Sequence, residues 1–160
     1  MSSTVRGRSL KSVLATRKEN YWLGNEILSQ LTMNNSYKLK FDLQSRSNRR
    51  WYYAKYSTFR VLPESSNYSL QVSGYSGNAG YDAFIYSNGM FTTFDRDNDL
   101  HKDPMNCATI TGGGFWHKVC ANSEVNSVRD PVGPYDDEFS WDNMAGGRLL
   151  QSTRMWLQCY

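Results

Sequence analysis

The residues best suited to chemistry in this sequence form a run with carboxylates at alternate positions, Asp95-Arg96-Asp97-Asn98-Asp99. Like charges crowded in this way repel one another unless a cation neutralises them, and hard oxygen ligands of this kind suit calcium. The best-known loop of this type, the EF-hand, needs glycine at its sixth position and a bidentate glutamate at its twelfth. Those positions hold Leu100 and Asn106, so an EF-hand is excluded. A different loop is expected, with two carboxylates and a few backbone carbonyls around the ion.

Downstream lie Asn106-Cys107-Ala108 and the stretch from Gly112 to Cys120, which contains Gly113, Gly114, Phe115, Trp116, His117, Lys118 and Val119. A bond between Cys107 and Cys120 would close a short Gly-rich loop beside the acidic run, worth about 3 kcal/mol for a loop of this size. Cys107, His117 and Cys120, with or without His101, offer a competing zinc set, although there is no CxxC pair. Cys120 and His117 also compose a conceivable nucleophile and base. With Cys159 the cysteines number three, so one is left over whichever pair forms, and the pairing stays open at this point. His101 and His117 are the only natural bases, and no GxSxG, HExxH, P-loop or strand-to-helix GxGxxG is present. An enzyme is not expected. Phe115 and Trp116, set among glycines, either line a small ligand pocket or cap the core beneath a disulfide.

The elements that must position these groups are partly visible. Residues 1–18 carry basic and Ser/Thr residues without hydrophobic periodicity and read as a solvated, mobile arm. Packing begins at Tyr21 and Trp22, and after Gly24-Asn25-Glu26 the residues Ile27, Leu28 and Leu31 space an apolar stripe for a short helix that ends at Asn34-Asn35. Tyr37, Leu39, Phe41 and Leu43 alternate with Lys38, Lys40 and Asp42, the period of a half-buried strand. A second strand is expected from Arg50 to Leu62, joined to the first by the polar turn Ser45 to Arg49, and a third from Ser69 to Val72. Beyond Gly74 periodic segments disappear and loops are expected to hold the chain, which then needs covalent or metal staples to offset chain entropy.

The 160 residues suit one domain, and 39% hydrophobic content with 14% aromatics is enough to build a core. No apolar run approaches a membrane span, so no membrane insertion is expected. The excess of Lys+Arg 18 over Asp+Glu 15 is too small to imply nucleic acid. The first residues lack the apolar core of a secretion signal. Asn34-Asn35-Ser36 and Asn67-Tyr68-Ser69 fit the N-glycosylation tripeptide.

Taken in order, Tyr21 to Glu26, Tyr56 to Val61, Asn67-Tyr68, Val72 to Gly77 with Ala79-Gly80, and Phe91 to Asp99 resemble the fibrinogen-related domain of fibrinogen chains, ficolins, tenascins and angiopoietins. Asn106-Cys107-Ala108, Gly114-Phe115-Trp116, Cys120 and the closing Trp141 to Trp156 continue that order, so the resemblance covers Glu19 to the C-terminus. It implies an α+β fold: a central twisted antiparallel sheet with short helices, plus a loop-rich subdomain for calcium and ligand. Residues 19–160 are then expected to be a truncated form of that domain, with an unrelated basic stretch in place of its N-terminal, disulfide-bearing part. The resemblance further implies a Cys107–Cys120 disulfide, and calcium held by the Asp97 and Asp99 side chains with backbone carbonyls near His101 and Asp103. The spacing from Asp99 to Cys107 is two residues longer than in most relatives, so the carbonyl ligands carry over less closely than the carboxylates.

In lectin members of the family a pocket beside the second disulfide cysteine takes acetyl groups, which here implies a ligand site bordered by Phe115, Trp116, His117, Val119, Cys120 and Ala121. Two positions depart from that pattern: Ala121 stands where lectins tend to carry a His or an aromatic, and His117 where many carry Tyr. The leading expectation is a secreted, calcium-dependent, lectin-like domain that binds glycans or acetylated ligands in innate immune recognition. The alternative is a protein-binding module of an extracellular matrix or growth-factor-like protein. In either case relatives oligomerise through segments upstream of the domain, so an oligomer is expected through regions absent from this chain.

Overall fold

The computed structural model describes residues 21–85, 89–102, 104–120, 123–127 and 139–159. The arm expected at residues 1–18 lies outside them. The chain forms α1 (Asn25–Met33), β1 (Tyr37–Ser45), β2 (Trp51–Val61) and β3 (Leu70–Gly77), and then α2 (Cys107–Thr111). Two short strands follow, β4 (Ser123–Glu124) and β5 (Ser140–Trp141), before the long C-terminal strand β6 (Leu150–Cys159). The main sheet is antiparallel in the order β3-β2-β1-β6. Short helices beside an antiparallel sheet make the architecture α+β, as the resemblance implied.

The alternation in β1 does what its period dictates: Leu39, Phe41 and Leu43 are buried in the core, and Lys40 and Asp42 pair on the opposite face at 2.6 Å. In β2 the inward residues are Ala54, Tyr56, Phe59 and Val61, whose parity changes between Tyr56 and Phe59. The cause is a bulge, since the register passes from Tyr37↔Phe59 to Leu39↔Tyr56 and sets three steps of β2 against two of β1. Gly74 of β3 lies at the same level with φ 74°. A Cβ there would fall 1.9 Å from Ser57 Oγ, so only glycine lets β3 pass the bulge.

Helix α1 differs from the expected stripe. Its buried residues are Asn25, Leu28, Ser29 and Thr32, whereas Leu31 is exposed. The helix is turned by a polar bond: Thr32 Oγ1 accepts the Val61 N–H at 3.0 Å and donates to the Leu28 carbonyl at 2.8 Å. A buried hydroxyl that satisfies a strand N–H outweighs a leucine left at a half-wet margin.

β6 is the larger departure from the expectation that loops hold the chain beyond Gly74. It pairs with β1 from Tyr37↔Cys159 to Ser45↔Leu150. Arg154 and Trp156 stand on its outer face, where the Arg154 guanidinium lies over the Trp51 ring at 4.8 Å and Trp156 Nε1 donates to Asp42 at 2.6 Å. Between β3 and β6 the described chain does run mainly through turns, and it is fastened to the sheet at several points. At one of them Ser45 Oγ and Ser47 Oγ both donate to the Gly146 carbonyl.

Candidate functional site

The site is built on an aromatic cluster. Trp116 is fully buried, with Phe91, Phe115, Trp22 and Phe59 around it at ring-centroid distances of 5.2, 5.4, 5.8 and 6.2 Å. Its indole N–H donates to the Tyr68 carbonyl at 2.7 Å, so its one polar atom is satisfied inside the core. Tyr68 is anchored in turn, because its hydroxyl donates to Glu26 Oε2 at 2.9 Å. Burial, and then that carboxylate, raise the phenol pKa well above its usual range.

The acidic loop grows from this cluster. Thr92 and Phe115 exchange backbone hydrogen bonds of 2.9 and 3.2 Å, and the Leu100 N–H donates to the Lys118 carbonyl at 2.7 Å. The loop and the segment after Trp116 are thereby stitched side by side. Within the loop Asp95 accepts from Thr93 Oγ1 at 2.8 Å, and Asp97 Oδ1 accepts the Asp99 N–H at 3.2 Å. Asp99 does most: Oδ1 accepts the His101 N–H and Oδ2 the Cys107 N–H, each at 2.8 Å. One carboxylate thus ties the loop to the first residue of α2. Asn106, the N-cap of α2, accepts the Thr109 N–H at 3.0 Å and donates to the Thr93 carbonyl at 3.0 Å.

Among the described residues no three His, Cys, Asp or Glu side chains gather into a metal-holding group. A calcium site with two carboxylates and backbone carbonyls does not require one. The donor set fits that ion: Asp97 and Asp99 present hard oxygens, and each oxygen that accepts a single N–H keeps a lone pair. The imidazole of His101 is turned to the Lys102 carbonyl at 3.4 Å, which leaves the His101 backbone carbonyl as that residue's contribution. Asp103, expected to give the other carbonyl, lies outside the described residues.

The sulfurs of Cys107 and Cys120 form a disulfide, with Cα atoms 4.9 Å apart. With both sulfurs oxidised, neither the zinc set nor the Cys120–His117 nucleophile pair has a thiolate to use. Cys159, at the end of β6, is exposed and outside the disulfide.

The structure buries Phe115, Trp116 and His117 to 2% exposure or less, so none of the three rings opens to solvent. His117 Nε2 lies 3.2 Å from the Gly113 carbonyl, and Nδ1 lies 3.7 Å from Glu124 Oε1, also buried. Burial lowers the imidazole pKa, with the Gly113 carbonyl and the Asp99 charge opposing it. Gly113 has to be glycine, because a Cβ there would lie 2.2 Å from the Asn126 carbonyl oxygen. Surface at this end comes instead from Val119, 52% exposed, and from Leu100, 63% exposed on the neighbouring loop. Lys118 is exposed between them, Cys120 is half-buried, and Ala121 lies outside the described residues.

Sequence reasoning missed Glu124, Asn126 and Leu100. Glu124 and Asn126 have no local pattern, since Glu124 faces His117 and Asn126 meets Gly113-Gly114 across a loop. Leu100 was visible only as the residue that excluded an EF-hand. A cavity of about 20 Å³ beside the loop, bordered by Tyr68, Phe91, Arg96 and Asn98, has room for one water.

Residues 10–158 match the family model of the fibrinogen beta and gamma chains' C-terminal globular domain, so the match begins within the stretch read as an arm. The chain is 37% identical over 139 residues to mouse angiopoietin-related protein 7, covering 84% of this chain and 40% of that protein. It is 40% identical over 132 residues to human angiopoietin-related protein 2, covering 79% and 26%. With the mouse fibrinogen alpha chain it shares 39% over 128 residues, 72% of this chain and 16% of that one. It therefore spans well under half the length of these curated relatives. Among solved structures, the fibrinogen-like globe domain of human ANGPTL2 superposes with a TM-score of 0.87 at 32% identity, over 99% of this chain and 74% of that one. Lamprey fibrin D-dimer, in complex with the peptide Gly-His-Arg-Pro-amide, gives 0.81 at 28%, over 98% and 57%.

Proposed function

Because the chain belongs to the family of the fibrinogen C-terminal globular domain, we propose that it is an extracellular, non-enzymatic recognition domain whose ligand is a protein or peptide. The reading rests on one observation: the segment from Phe115 to Cys120 buries its rings and offers Lys118 and Val119 to solvent beside Leu100. A lectin-type acetyl pocket needs open ring faces, whereas exposed aliphatic side chains beside charged ones suit the centre and rim of a protein contact. The relatives point the same way, toward angiopoietin-related proteins and toward a fibrin that holds a peptide.

Calcium acts in this reading as a staple for the contact surface. Asp97 and Asp99, with the backbone carbonyl of His101 and that of Asp103, would hold the ion, which relieves the repulsion between the carboxylates. Its chemistry is charge neutralisation, and the Leu100–Lys118 bond carries that ordering to the segment that meets the ligand.

The test sets two arrays side by side, one of secreted ectodomains and one of acetylated and other glycans, each probed with and without calcium. Binding to proteins that falls at least tenfold in Leu100→Asp and Val119→Asp, with no glycan retained, is the expected result. Calcium-dependent binding to acetylated glycans that both variants leave unchanged would overturn the reading and return the domain to the lectins.

A further inference from the structure

The chain carries two Asn-x-Ser tripeptides, and their surroundings differ in exposure, backbone conformation and hydrogen bonding. We propose that Asn34 is the acceptor of an N-linked oligosaccharide and that Asn67 is not. The proposal rests on the extracellular placement above, since the transfer takes place only on chains that enter the secretory pathway.

Asn34 is the C-cap of α1, with φ −102° and ψ −8°. Asn34, Asn35 and Ser36 are all exposed in the bend between α1 and β1. Among the described residues the Asn34 carboxamide has no hydrogen-bond partner, so replacing one of its amide hydrogens removes no contact there. A sugar leaving this bend projects from a loop, where added bulk is tolerated best.

Asn67 is built into the fold. Its backbone is left-handed at φ 50°, and so is that of Tyr68. Its Oδ1 accepts from the Arg96 guanidinium at 2.9 Å while Nδ2 points at Met90 Sδ at 3.2 Å. Its carbonyl accepts the Phe91 N–H at 2.9 Å, and the middle residue of the tripeptide, Tyr68, holds the buried Trp116 indole. A sugar that replaces the Nδ2 hydrogen facing Met90 would displace that side chain, and the carboxamide that carries it is already held through Oδ1 by Arg96.

The reaction is a group transfer from a lipid diphosphate-linked oligosaccharide. The Asn34 amide nitrogen bonds to the anomeric carbon, the bond from that carbon to the diphosphate oxygen breaks, the lipid diphosphate leaves, and the amide gives up one proton. Ser36 supplies the hydroxyl that the tripeptide requires at its third position.

The experiment expresses the whole 160-residue chain behind a cleavable secretory leader in cultured animal cells. Material from cells and medium is treated with peptide-N-glycosidase in heavy-oxygen water and mapped by peptide mass. Wild type and Asn67→Gln should each lose one glycan, with the heavy label at position 34. Asn34→Gln and Ser36→Ala should lose none, and Ser36→Ala does so without touching the helix cap. A bare Asn34 in the wild-type chain, or sugar on Asn67, would overturn the proposal. With the leader supplied, the readout is independent of what the domain binds. A chain that accepts sugar here yet stays inside cells when made from its own transcript would break the extracellular reading and leave the acceptor geometry standing.

Discussion

Asp99 is expected to stabilise the fold before any ion is bound, and this separates its two roles. Each of its oxygens accepts a backbone N–H at 2.8 Å, from His101 and from Cys107. Hydrogen bonds to a charged group contribute about 1.5 to 3 kcal/mol each, and Asp99 is half-buried, so water recovers part of the loss and Asp99→Ala should cost roughly 2 to 4 kcal/mol. Asp99→Asn keeps one acceptor and turns an amide donor toward the other N–H, which places it between wild type and alanine at roughly 1 to 2 kcal/mol. The assay is denaturant unfolding in a calcium chelator and again in excess calcium. In calcium the wild type should gain about 2.7 kcal/mol once the free ion exceeds its dissociation constant a hundredfold, and both variants should gain much less. Equal stability of wild type and Asp99→Ala in chelator would refute the clamp argument, and equal gains in calcium would remove Asp99 from the ion site.

Two further outcomes follow from buried polar groups. Thr32→Val should cost about 1 to 3 kcal/mol in denaturant unfolding, because it orphans the buried Val61 N–H, and Thr32→Ser should restore most of that; equal losses in both would show that packing alone is at work. His117 is buried with its pKa lowered, so above about pH 6.5 the folded and unfolded chains are both neutral there and the residue adds no pH dependence. Below that value the unfolded chain takes up a proton that the folded chain refuses, and stability should fall toward the folded pKa by up to about 1.4 kcal/mol per pH unit. His117→Gln should flatten this part of the stability profile, and an unchanged acid slope in that variant would refute the assignment to His117.

The sheet was legible where local alternation governs it and illegible where distant partners do. β1 repeats apolar residues at the strand period, β2 is dense in aromatics, and a short turn joins them, so their hairpin follows from neighbours in sequence. β6 sets Met155 and Leu157 at the strand period, but Gln151 and Thr153 hold the earlier positions of that face and Trp156 stands between the pair on the other, so its apolar alternation is weak. What makes it a strand is β1, more than a hundred residues away, as the Thr153 hydroxyl bonded to the Asp42 carbonyl illustrates. Helix α1 was legible as a helix and misread as a face. A count of apolar residues favours Leu31, and nothing local announces that Thr32 must reach the Val61 N–H.

The same distinction decides the functional reading. The residue types of the site, carboxylates, cysteines and rings, stand in the sequence in family order. Which way those rings point is set by backbone groups, which look alike at every residue. The Tyr68 carbonyl draws the Trp116 indole inward, and the Thr92–Phe115 bonds close the segment over it. The Leu100 N–H then holds the Lys118 carbonyl, so the chain turns outward at Lys118 and Val119. Were Trp116 to face solvent, its polar N–H and ring would make a pocket wall and the lectin reading would follow. Facing inward, it lies beneath a segment whose exposed side chains are Lys118 and Val119, and in the proposed reading it would support a contact surface made of these and Leu100. The family motif thus gives the order of these residues, and the indole-to-carbonyl bond turns the Trp116 ring inward, which is what the proposed protein-binding reading rests on.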